Sequence, residues 1–232
     1  MGDRVGTGIA GLDQMLEGGV PAGHIVAVIG SCGTGKTTLA LQYLAAGLKQ
    51  GEKGIFISLE EDEAAIMQTS KSYGWDIEPQ IASKNMAVFK IEPSEAKVAL
   101  ARIKTDLPNL IKSMGAKRLV LDSVSLLNML STDEAEKRSI LFALCQQIKG
   151  AGATALLTAE ARPENPTASR DGLVEYVADG VIVLSYVVPG SGGDVQLSIR
   201  VMKMRRTKHS RAIKPYNLTS SGMEVLSASQ VF

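Results

Sequence analysis

The sequence predicts an α/β fold, with a mostly parallel central sheet flanked by helices and a β-rich C-terminal edge. Three observations lead there. Up to about Gly180, short apolar runs alternate with longer amphipathic segments, the pattern of parallel strands joined by helices. Gly51, Gly74, Gly115 and Gly150 each follow an amphipathic segment closely, as helix-stop residues do. Beyond Gly180 only β-type runs and turns remain.

The elements follow in order. Residues 25–29 are a β-type run, I-V-A-V-I, and 36–49 form a helix with a helix-type stretch at 38–45. A strand at 54–58 precedes a helix at 63–73, with Asp62 and Glu63 at its start. A strand at 87–91 and a helix at 95–114 come next, then a strand at 119–121 and a helix at 134–149. The remaining strands are 154–158, 180–184, 195–201 and 214–218. The apolar stretch 181–188 is cut short by Pro189 and Gly190, which makes it a buried strand rather than a membrane span. A turn at 190–194 separates it from the next strand.

A chain of 232 residues accommodates one large or two small domains. No linker, repeat or low-complexity stretch divides it, so residues 1–232 read as one domain. Hydrophobic content of 45% and charged content of 21% suit a globular protein. No targeting segment is visible, and position 6 is Gly rather than the Ser or Thr that myristoylation needs. Cys32 and Cys145 read as reduced thiols of a cytoplasmic protein that does not enter membranes.

Residues 30–37 read G-S-C-G-T-G-K-T, a complete P-loop. Strand, loop and helix follow in the order that the motif's mechanism requires. Gly30, Gly33 and Gly35 let the backbone approach phosphates closely. Main-chain N–H groups of Gly30, Ser31, Cys32, Gly33, Thr34, Gly35, Lys36, Thr37 and Thr38 would cradle the anion at a helix N-terminus. Lys36 would reach the β- and γ-phosphates, and Thr37 would ligate Mg²⁺ through its hydroxyl.

Two further features bear on the fate of the γ-phosphate. Asp122 ends a short apolar strand downstream of the P-loop, as a Walker B carboxylate does, and would hold the Mg²⁺. Its bland reading is a helix cap. Glu60 and Glu61 end the second strand, where ligand-facing residues of an open α/β sheet collect. Either can act as the base toward the attacking water, and the sequence does not choose between them.

Net charge is +1, unevenly placed. Arg200, Lys203, Arg205, Arg206, Lys208, Arg211 and Lys214 form a strip that no acid interrupts. Seven of the 25 basic residues lie there, leaving 18 against 24 acidic ones elsewhere, so the strip suggests an anionic partner. Lys203 and Arg205 just after a β-type run suit an arginine finger supplied to a neighbouring subunit's γ-phosphate. The bland reading is a basic edge strand that resists aggregation.

These features together resemble the RecA-superfamily ATPases of the KaiC and RadA type. The resemblance begins with T-G-I-A-G-L-D at 7–13 and G-G-V-P-A-G at 18–23, and continues through the P-loop. Glu60 and Glu61 resemble the paired glutamates of KaiC, and L-D-S-V at 121–124 its Walker B strand. Lys203 and Arg205, with Thr207, His209 and Arg211, resemble its K-x-R finger and nucleotide-contact segment. The resemblance covers nearly the whole chain and implies a RecA-like P-loop NTPase fold with one ATPase module, of a kind common in archaea. It also implies ATP as substrate with ADP as product, Mg²⁺, slow hydrolysis, and a homo-oligomeric, hexameric ring with nucleotide between subunits. One stretch departs. Glu175 and Tyr176 stand where the phosphorylating half of KaiC carries adjacent Ser and Thr acceptors, with only Thr167 and Ser169 upstream. The stretch resembles the non-phosphorylating half, which leaves autokinase activity open.

Three functions compete. The favoured one is a ring-forming ATPase acting as a regulatory or signalling switch, with a regulatory protein partner. The runner-up is a RadA-like DNA-handling ATPase, supported by the basic strip. Against it, the sequence shows no DNA-binding domain ahead of the core, and 4% aromatic content offers few stacking platforms. The third is a scaffold that binds ATP without hydrolysing it, which the glutamate pair argues against.

Overall fold

The computed structural model describes residues 2–92, 96–125, 133–187 and 194–226. In chain order the elements are β1 (Arg4–Val5), α1 (Ala10–Met15), β2 (Val20–Pro21), β3 (Ile25–Gly30), α2 (Lys36–Lys49) and β4 (Lys53–Ser58). Then come α3 (Glu63–Ser72), α4 (Glu78–Ala82), β5 (Met86–Lys90), α5 (Ala96–Met114), β6 (Ala116–Asp122) and α6 (Glu134–Gly150). The chain continues with β7 (Thr154–Arg162), β8 (Asn165–Ser169), α7 (Val174–Val177), β9 (Gly180–Val187), β10 (Gln196–Met204), β11 (Ile213–Thr219) and β12 (Gly222–Val225). The expected helix start at Glu95 and positions 190–193 of the expected turn lie outside the described residues.

One sheet organises the molecule, in the order β12-β11-β10-β9-β3-β7-β6-β4-β5, with β8 paired to β7. The strands from β9 to β5 run parallel. Strands β10 to β12 extend the sheet antiparallel from β9, as the β-rich C-terminal edge anticipated.

The central strands are apolar on both faces because both faces are covered. Ile25, Ala27, Ile29, Leu119, Leu121 and Leu157 pack against Leu107 and Ile111 of α5 and Leu141, Leu144 and Ile148 of α6. Val26, Val28, Val120, Leu156 and Ile182 pack on the other face against Leu39, Tyr43 and Leu44 of α2. Asp62 caps α3 by accepting from the Ala65 N–H at 2.9 Å, so the acids read at that helix start divide their roles.

Arg118 pins three parts of the second layer. It is buried, yet its Nε donates to Glu52 Oε2 at 2.5 Å and its Nη1 to the carbonyls of Gly6 and Tyr43 at 2.7 Å each. The guanidinium also lies over the Tyr43 ring, 4.7 Å from its centroid. A Cβ at Gly47 would collide with it, so that helix position is held open for the arginine.

Elements that the sequence reading did not anticipate are short: β1, β2, α1, α4, β8, α7 and β12 have between two and six residues. Segments of that length span too little of a helical or strand period to show one.

Candidate functional site

The P-loop joins β3 to α2 at the C-terminal ends of the parallel strands, where open α/β sheets collect ligands. Gly33 and Gly35 take φ of +77° and +80°, and Gly35 is the N-cap of α2, so the turn into the helix uses backbone that side chains disfavour. The loop is braced from outside. Tyr216 on β11 donates its hydroxyl to the Thr34 carbonyl at 2.5 Å, and Tyr186 on β9 donates to the Cys32 carbonyl at 3.0 Å. Burial raises the Tyr216 pKa, so that hydroxyl keeps its proton and its donor role. Within the loop, Thr34 Oγ1 and Lys36 Nζ donate to the Ser31 carbonyl at 2.8 and 3.1 Å. The Thr38 hydroxyl is 3.3 Å from that of Tyr73.

Under the loop, Thr37 Oγ1 donates to Asp122 Oδ2 at 2.6 Å. The other carboxylate oxygen, Oδ1, accepts from Thr158 Oγ1 on β7. Asp122 is therefore held from two sides by hydroxyls, and the Asp122 carbonyl accepts from the Leu59 N–H at 2.8 Å, which ties the end of β6 to the end of β4.

Glu60 and Glu61 follow β4. Ser58 Oγ accepts from both of their N–H groups, at 3.2 and 2.8 Å, which fixes the turn that presents them. Both carboxyls are raised above the ordinary value. Burial is the main cause for each, and the Asp122 charge is next. Glu160 and Lys36 also act on Glu60 by their charges, while Glu61 feels those of Glu60 and Asp62 and has a buried Oε2 without a hydrogen-bond partner among the described residues.

Lys203 and Arg205 are not brought to this loop. Lys203 pairs with Val181, and Val181 with Ala27, so it sits three residues below Gly30 along the sheet. That is about 10 Å at the strand rise, with two strand spacings of about 5 Å added across it. Lys203 Nζ donates to the carbonyls of Glu175 and Ala178 at 2.8 and 2.7 Å, and Arg205 Nη2 to Tyr176 at 3.1 Å. Thr207, His209 and Arg211 lie on the loop between β10 and β11, past that same end of the sheet. Thr207 accepts from Arg4 at 2.6 Å, His209 Nδ1 is 3.0 Å from the Ser210 carbonyl, and Arg211 is exposed.

Sequence reasoning missed Thr158, Glu160, Tyr186 and Tyr216. For the first two a signal existed: T-A-E at 158–160 is a polar interruption at the end of an apolar strand, the same signature that singled out Asp122. The tyrosines had none, since contact with the loop depends on the antiparallel return of β11 and on β9 lying beside β3.

The fold is RecA-like, with a P-loop sequence between β3 and α2. A family model described as "ATPase: KaiC" matches residues 5–230, and the chain belongs to that family. A UPF0273 protein of Thermotoga maritima is 32% identical over 235 residues, 96% of this chain and 95% of the relative. The circadian clock protein KaiC3 of Synechocystis sp. is 30% identical over 224 residues, and the chain spans only 44% of that relative's length. The crystal structure of a KaiC-like protein from Pyrococcus horikoshii OT3 superposes with a TM-score of 0.86 at 32% identity, covering 97% of this chain and 99% of that one. Relatives come from cyanobacteria as well as Pyrococcus, so the expected archaeal origin does not follow from family membership. Among the described residues no helix is long and apolar enough to cross a membrane.

Proposed function

We propose that this chain hydrolyses ATP to ADP and phosphate in a site completed by a second copy of itself. The observation that carries the reading is the meeting of Thr37 and Asp122 beneath the P-loop, beside two carboxyls whose pKa values are raised. Thr37 and Asp122 are hard oxygen donors and fit Mg²⁺ shared with phosphate oxygens. When bound, the ion would neutralise charge between the β- and γ-phosphates. The Lys36 ammonium binds the same phosphates, and Glu60 or Glu61 accepts the proton of the attacking water. A bond forms from that water's oxygen to the γ-phosphorus as the bond to the bridging oxygen breaks, and ADP and inorganic phosphate leave.

The reading assigns Lys203 and Arg205 to a neighbour's γ-phosphate, because their own P-loop lies out of reach. A head-to-tail ring, hexameric in the family resemblance, supplies such neighbours. Its role as a regulatory switch rests on that resemblance.

Mixing tests the shared site. K36A chains lack a working P-loop and K203A/R205A chains lack the finger, so each alone should be inactive. Their mixture should regain phosphate release, with ATP-Mg²⁺-dependent assembly followed by light scattering. A mixture as inactive as its parts excludes a finger supplied in trans. E60Q/E61Q should bind ATP and fail to hydrolyse it; normal turnover would reject the base assignment.

Nucleic acid binding is a second reading with one observation in its favour, the exposure of Arg200, Arg205, Arg206, Lys208 and Arg211. It calls for DNA-stimulated hydrolysis that falls with salt.

A further inference from the structure

The finger cations have a holder of their own. Lys203 Nζ and Arg205 Nη2 between them take three carbonyls at the end of α7, those of Glu175, Ala178 and Tyr176. Carbonyls at a helix C-terminus have no intrahelical donors, and cations there are favoured. A four-residue helix cannot hold its own position. Glu175 anchors it: its Oε1 accepts from the Ser169 N–H at 2.5 Å and its Oε2 from the Ser169 hydroxyl at 2.6 Å. Ser169 is fully buried at the end of β8.

From Ser169 the contacts run on to the phosphate end of the sheet. The neighbouring Arg170 donates its N–H to the Glu160 carbonyl at 2.7 Å and pairs its guanidinium with the Glu160 carboxylate at 2.9 Å. The Glu160 N–H donates to Ser125 Oγ at 2.8 Å, three residues past Asp122. The Glu160 charge also acts on Glu60.

We infer that Glu175 is a positioning residue for the finger, clamping α7 to Ser169 so that Lys203 and Arg205 are set for the neighbouring site. The inference rests on the shared-site reading. It gives Glu175, the residue found where an acceptor serine would stand, a different task from receiving phosphate. The buried Ser169 hydroxyl has one proton between two carboxylates, Glu175 Oε2 at 2.6 Å and Asp171 Oδ1 at 2.9 Å, while the Ser169 N–H donates to Glu175.

The mixing experiment tests it when E175Q is placed in one chain at a time. In the K36A chain, which donates the finger, E175Q should lower the mixture's kcat about fivefold, the scale of losing one charge-assisted hydrogen bond. KM for ATP should stay unchanged. In the K203A/R205A chain, which donates the P-loop, E175Q should leave kcat unchanged. A merely structural role would cost activity in either chain. Equal losses, no loss, or loss only from the P-loop donor would each overturn the inference. An inactive parent mixture would overturn the shared-site reading together with it, whereas an active parent mixture isolates the failure to Glu175. Should E175Q fail to fold, S169A removes one hydroxyl from the clamp, keeps the Ser169 N–H bond, and must show the same one-sided loss.

Discussion

Thr37 and Asp122 are 85 residues apart in sequence and 2.6 Å apart in space, hydroxyl to carboxylate. The pair joins the first turn of α2 to the end of β6, two strands away from β3 in the sheet. Thr158 completes the arrangement from the strand between them.

Removing the Thr158 hydroxyl tests that arrangement. T158V should retain the fold and raise the Mg²⁺ concentration needed for half-maximal hydrolysis by about 10–100-fold, the range for outer partners of metal ligands. Titrating phosphate release against Mg²⁺ at saturating ATP measures it, and an unshifted curve would show that Asp122 needs no such support.

Glu60 and Glu61 carry a stability cost with a definite sign. Their native pKa values lie above the unfolded value near 4.5, chiefly through burial and then through Asp122. Between the unfolded and native values the folded chain binds more protons, so stability falls as pH rises through that window. E60Q/E61Q should therefore raise Tm at about pH 8 and leave it nearly unchanged at about pH 3.5. Hydrolysis by the wild type needs an ionised base and should decline on the acid side at a pH above the ordinary carboxylate range. Thermal melts of both proteins across that range, beside a pH–rate profile, decide the matter.

Arg118 makes a separate prediction about stability. R118A strands Glu52 and the carbonyls of Gly6 and Tyr43 and should cost about 3–5 kcal/mol in denaturant unfolding, as breaking a buried ion pair does. A loss below about 1 kcal/mol would mean that water replaces the guanidinium easily.

The Tyr216 bond to Thr34 should matter to nucleotide more than to fold. Y216F should cost about 1 kcal/mol of stability and weaken ATP binding by about threefold to tenfold as the loop loses its brace. Calorimetric titration with a non-hydrolysable ATP analogue reads the second effect, and unchanged affinity would assign Tyr216 to packing alone.

How much of this was legible depended on sequence distance. The P-loop was readable because its parts are contiguous, and Asp122 because an acid ending an apolar strand breaks a pattern. Glu60 and Glu61 were readable as a pair by the same logic, and only burial and neighbouring charges separate their surroundings. The Thr158–Asp122 contact and the tyrosine braces depend on strand order, which local periodicity does not encode. The clamp at Ser169 and Glu175 was invisible for another reason: β8 and α7 are five and four residues long, too short for either period to show. Resemblance to KaiC drew attention to Glu175 as a departure. Its hydrogen bonds give the position a physical content that resemblance did not contain.

The offset between Gly30 at one level of the sheet and Arg205 at the other gives the chain a head and a tail. A two-fold dimer joins like surfaces to like, whereas a contact between unlike ends has no built-in stop and either closes on itself or runs on. On the proposed shared site, an open array of these chains would leave one terminal P-loop without a finger and one finger at the far end without a phosphate. Turnover per chain would then climb with array length, steeply for short arrays and slowly for long ones, and closure would complete the last site, so dilution alone would act as a brake.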